Sequence, residues 1–88
     1  MKRGDFLDIA GALISGDRQA QYGDVVEGFR TACAIFEAKT GHRLTPEQGV
    51  EFLICVKEAR EIVSPQKADT HIDIIGYKAL KAEMLKAT

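Results

Sequence analysis

Asp69 and Asp73 stand four residues apart and are followed by Gly76 and Tyr77, within the stretch Asp69-Thr70-His71-Ile72-Asp73-Ile74-Ile75-Gly76-Tyr77. On a helix, residues three and four apart share a face, so Asp69, Asp73, Gly76, Tyr77 and Leu80 form one stripe. Upstream, Lys57 and Arg60 also share a helical face. The short connection Ser64–Ala68 between the two segments predicts an antiparallel helical hairpin. Lys57 and Arg60 then face the first turns of the last helix, and two cations meet two carboxylates at the mouth of the hairpin. One chemistry for this group is a phosphate or nucleotide site. Lys57 and Arg60 bind anionic oxygens there, while Asp69 and Asp73 hold a magnesium ion through oxygen ligands. The other reading is architectural: the four charges pair among themselves and fix helix register, for little net stabilisation.

A second candidate group lies in Arg18-Gln19-Ala20-Gln21-Tyr22-Gly23-Asp24. Arg18 suits a phosphate, and Tyr22 suits stacking on a base or ring. The plainer alternative is a loop anchored to the core by Tyr22 and turned by Gly23. Glu58 and Glu61 resemble the acidic pairs that build metal sites between bundle helices, but a solvated face, with Glu61 paired to Lys57, is the expectation. His71 falls on a different face from the two aspartates and reads as a surface or capping residue. His42 lies in a loop. No serine, cysteine or threonine has a recognisable nucleophile's context, so covalent catalysis has little support.

About four helices must position these groups. The first is predicted from Asp5, a plausible cap, to Ser15, with Leu7, Ala10, Leu13 and Ile14 as its apolar stripe and Gly16 beyond its end. Gly11 weakens it by roughly 1 kcal/mol relative to alanine unless it permits close packing. The second spans Val25 to Thr40 between Asp24 and Gly41, burying Val25, Phe29, Ala32, Cys33 and Phe36. Thr45-Pro46-Glu47-Gln48 opens the third with a capping box and a proline at the first helical position. Val50 and Phe52 to Val56 make that helix apolar on nearly every side, so it is expected to be central and covered by the others. It ends near Val63, because Pro65 disfavours helical backbone at Ser64. The fourth begins at Asp69 or Thr70 and runs to about Lys86, with Ile72, Ile75, Ala79, Leu80 and Met84 as apolar surface. The expected fold is a compact all-α bundle ending in an antiparallel helical hairpin, as one domain over residues 1–88.

The chain has 88 residues, 45% hydrophobic and 28% charged, an ordinary balance for a globular protein. A core of this size is marginal, which favours a homo-oligomer. The formal net charge of −1 removes the electrostatic basis for nucleic-acid binding. Cys33 and Cys55 sit among apolar neighbours and are expected to be buried thiols in a reducing compartment. Without a Cys-x-x-Cys or a Cys/His cluster, structural zinc is not expected. The apolar run Phe52–Val56 is too short to span a bilayer. These features point to the cytoplasm, with no membrane partner.

The order Arg18-x-x-x-Tyr22-Gly23, Phe29, Lys57-x-x-Arg60, Asp69-x-x-x-Asp73-x-x-Gly76-Tyr77 resembles a family of small phage and prophage proteins described only as a domain of unknown function. The resemblance covers about Asp17 to Leu80 and implies a viral or prophage origin and a small helical fold. Two further likenesses touch fewer residues. Phage domains associated with nucleotide modification share an Asp-x-x-x-Asp followed by a tyrosine. The MazG-type helical pyrophosphohydrolases use Glu-Glu-x-x-Glu and a later Glu-x-x-Asp to bind magnesium. This chain has only Glu58-x-x-Glu61, and its later carboxylates are spaced differently, which argues against pyrophosphohydrolysis and leaves nucleotide binding open.

Two functions follow as expectations. One is a phage accessory protein that binds a nucleotide or other phosphorylated ligand, less readily hydrolysing it. Its ligand residues are Arg18, Tyr22, Lys57, Arg60 and Tyr77, and its metal residues are Asp69 and Asp73. The other is a module that binds or inhibits a host (defence) protein, with the charged cluster purely structural. A helix-turn-helix DNA binder fits least, because no helix carries a basic recognition face.

Overall fold

Local capping chemistry starts three of the helices. The Asp5 carboxylate accepts a hydrogen bond from the Lys2 N–H at 2.9 Å. Asp24 accepts from the Glu27 N–H at 3.4 Å. Thr45 and Gln48 complete the reciprocal box: Gln48 N–H donates to Thr45 Oγ1 at 3.2 Å, and Thr45 N–H donates to Gln48 Oε1 at 3.0 Å. The computed structural model describes residues 1–15 and 23–87, and among them are four helices and no strand. They are α1 (Arg3–Leu13), α2 (Val25–Thr40), α3 (Pro46–Val63) and α4 (Ala68–Met84). Gly41 closes α2 with φ at 75°, its N–H donating to the Glu37 carbonyl, a left-handed conformation that glycine adopts without strain.

The fold is the compact all-α bundle that periodicity predicts, with α3 and α4 as its hairpin. Val50 and Ile54 of α3 meet Leu80 of α4 in the fully buried centre, with Val25, Val26 and Phe29 of α2 and Tyr77 and Met84 of α4 packed around them. Cross-hairpin pairs confirm the antiparallel register. Glu51 meets Lys81, Lys57 meets Asp73, and Glu61 lies near His71. On the other side of α4, α1 docks through an absence of side chain. A Cβ on Gly76 would stand 3.3 Å from Ile14 Cγ2 and 4.0 Å from the Ala10 carbonyl. Gly49 serves α2 and α3 similarly, lying against Cys33 Sγ, whose thiol also reaches the Thr45 carbonyl.

Several expectations are corrected. Gly11 has nothing near its missing Cβ and permits no close packing. In α1 only Ala10 is buried, while Leu7 and Leu13 are exposed. Ala32 and Phe36 of α2 are exposed rather than core. Cys33 is buried, but Cys55 is exposed. The largest correction concerns α3: it is covered on one side only, and Phe52, Ile62 and Val63 remain 64%, 85% and 82% exposed.

Candidate functional site

Two recesses flank α4, and Asp73 lines both. The first is an apolar cleft of about 360 Å³ between α1, α2 and α4. Its walls are Ala10, Leu13 and Ile14 on one side and Val25, Gly28, Phe29 and Ala32 on the other, with Ile72, Gly76, Tyr77 and Leu80 as the floor. Asp73 is the one charged residue of that lining. The volume sits at the lower end of the roughly 300–1,000 Å³ typical of small-molecule sites. The second recess is a wider groove of about 710 Å³ at the mouth of the hairpin. It gathers Lys57, Arg60 and Lys67 with Asp69, Asp73, Ser64 and Thr70.

The hairpin brings together four of the seven predicted site residues, since Lys57, Arg60, Asp69 and Asp73 all line the groove. Only one direct pair forms among them. Lys57 Nζ lies 2.8 Å from Asp73 Oδ2, with the lysine side chain 19% exposed. Arg60 and Asp69 are exposed and make no ion pair among the described residues. The site is therefore half network and half open surface. Tyr77 belongs to the other recess, on the cleft floor below Phe29. Arg18 and Tyr22 lie outside the described residues, although the following Gly23 lines the cleft.

Two site residues escape sequence reasoning. Lys67 enters the groove from the turn, and a cation two residues before Asp69 was the available signal. Phe29 reads as core from its periodicity, yet it also walls the cleft. The expected Glu61–Lys57 pair does not form, because Asp73 takes the lysine. Glu61 instead approaches His71 Nδ1 at 3.9 Å. His71 Nε2 lies 2.6 Å from the Pro65 carbonyl, so in the tautomer that protonates Nε2 it donates across the turn. That is the capping role its position suggests.

As for metal chemistry, no cluster of three or more histidine, cysteine, aspartate or glutamate side chains could hold an ion among the described residues. Asp73 is already engaged by Lys57, so Asp69 is the freer carboxylate at the groove. Farther along the hairpin, Lys81 Nζ donates to Glu51 Oε2 at 2.6 Å. That hydrogen bond, then the charge of Lys81, hold the Glu51 carboxyl below the ordinary glutamate value; desolvation opposes them, and the charge of Lys78 adds the least.

The bundle and its two recesses define a small all-α protein with a mixed apolar and charged surface site. The chain belongs to the family described as "Domain of unknown function (DUF6378)", which matches residues 5–85. It is 33% identical over 79 residues to the Gene 55 protein of Mycobacterium phage L5, covering 89% of this chain and 51% of that protein. The chain thus spans about half the length of the curated relative it matches. The family is one of small phage proteins. No solved structure matches the chain. Among the described residues, no helix is long and apolar enough to cross a membrane.

Proposed function

We propose that this phage protein binds a nucleotide or a similar phosphorylated small molecule in the host cytoplasm. A flat apolar moiety occupies the cleft between Phe29 and Tyr77, and the anionic part reaches the groove at Lys57, Arg60 and Lys67. The observation that supports this reading is the position of Asp73 in the lining of both recesses. It makes the apolar and charged surfaces neighbours rather than separate features. Asp73 also supplies an acceptor for a ring amine or other donor at the cleft. Ring stacking and charge-assisted hydrogen bonds are the interactions these residues provide. Magnesium enters this reading with the phosphates, with Asp69 as the carboxylate it meets. Such ions keep most of their water and need only one or two protein oxygens.

Thermal shift and isothermal titration with nucleoside mono-, di- and triphosphates and cyclic nucleotides, with and without magnesium, test the proposal. At least one should raise the melting temperature. Arg60→Gln combined with Lys67→Gln, both at exposed positions, should weaken its binding by about tenfold or more. If no nucleotide shifts the melting temperature at millimolar concentration, the reading fails. Binding that is unchanged in the double variant overturns the assignment of the groove.

A further inference from the structure

Helix α3 has two apolar faces, and the bundle covers one of them. Val50 and Ile54 point into the core. On the opposite side, Phe52, Val56, Ala59 and Val63 recur at alternating spacings of four, three and four, the a/d pattern of a coiled-coil seam. Cys55 and Ile62 flank this line. All six residues are apolar, and only Val56 is even half-buried. The charged residues of the helix, Glu51, Lys57, Glu58, Arg60 and Glu61, lie off this strip. An apolar helix surface of this kind is normally dry.

We infer that a second copy of this chain covers the seam, pairing α3 with α3 in an antiparallel homodimer. Self-complementarity argues for a second copy. About a two-fold axis passing between Val56 and Ala59, Phe52 of one copy meets Val63 of the other, and Val56 meets Ala59. Each layer then sets a larger side chain against a smaller one, which fills the interface evenly. The parallel arrangement stacks Phe52 on Phe52 and leaves Ala59 facing Ala59 across a gap. An interface that satisfies itself in this way is isologous and closes as a dimer.

The exposure of the strip supports the same occupant. Phe52, Ile62 and Val63 are 64%, 85% and 82% exposed, and an isologous contact removes this apolar surface from water on both copies at once. Val56, Ala59 and Val63 also line the charged groove. A second copy on the seam therefore covers part of the groove's α3 wall. The dimer itself does not depend on the ligand proposal.

Light scattering coupled to gel filtration should give twice the chain mass at micromolar concentration. Cys55 supplies an independent probe, because Cys33 is buried and Cys55 is exposed beside the seam. A short bis-maleimide should convert the unaltered chain to a covalent dimer, and Cys55→Ser should abolish that product. Ala59→Glu places a carboxylate at the centre of the seam and should raise the dimer dissociation constant by about 100-fold or more, with helicity retained by circular dichroism. If that variant does not fold, the cross-link decides. A monomer at hundreds of micromolar overturns the inference. So does a dimer that neither cross-links through Cys55 nor responds to Ala59→Glu.

Discussion

The two sides of helix α4 are attached by opposite means. Toward α3, the interface is built from what side chains add: the Val50, Ile54 and Leu80 cluster, with the Glu51–Lys81 and Lys57–Asp73 pairs at its edges. Toward α1, the contact depends on what Gly76 omits, and no ion pair joins the two helices among the described residues. The lesson is that the first side specifies a register by chemistry, and the second only permits an approach. The first should lose stability in proportion to the buried volume removed, and the second should be sensitive to bulk added at Gly76 beyond a single methyl group.

Leu80→Ala tests that contrast most severely. It removes a fully buried side chain from the α3 side and also deepens the cleft floor. A loss of about 2–5 kcal/mol is expected by urea unfolding. Gly76→Val is next, at about 1–3 kcal/mol from forced separation of α1 and α4. Gly76→Ala should be near neutral, because a helix-propensity gain of about 1 kcal/mol offsets a small shift of the Ile14 methyl. If Gly76→Val is as harmless as Gly76→Ala, the close approach does not hold α1 in place.

The smallest effect concerns pH. The Glu51 carboxyl is held below its ordinary value in the folded chain, so its contribution is full above that value and fades as pH falls through the lowered one. Unfolding curves should show wild type losing stability more steeply than Glu51→Gln on the acid side, with the two slopes converging near neutrality. Equal acid slopes sink the assigned role of Lys81.

Legibility in the sequence followed the range of the interaction concerned. The caps at Asp24, Gly41 and Thr45–Gln48 were readable because each involves neighbours within one turn. The Lys57–Asp73 pair was readable because a short connection fixes which turns oppose. Arg60 and Asp69 are not paired as that geometry suggested, because Asp73 alone lies close enough to the α3 cations to engage one. The outer face of α3 was misread for a different reason. Periodicity reports that a face is apolar, and it reads alike for a face that the bundle covers and for one that it leaves exposed. The cleft had no signature at all. It exists where α1 and α2 fail to meet above α4, and residues such as Phe29 carry the same pattern whether they close a core or wall a recess.

The ladder across the hairpin also acts as a vernier. Glu51 and Lys57 are more closely spaced along α3 than their partners Asp73 and Lys81 are along α4, so few alignments satisfy both rungs. If α4 slid by one turn, Asp69 could replace Asp73 opposite Lys57, but Tyr77 would then confront Glu51. The same slide would carry Ile72 into the place of Gly76, against Ile14. Sliding the other way would bring Leu80 to that place and leave Lys57 facing Tyr77. Charge on one flank and missing bulk on the other therefore reject the same errors, and together they leave the hairpin a single alignment.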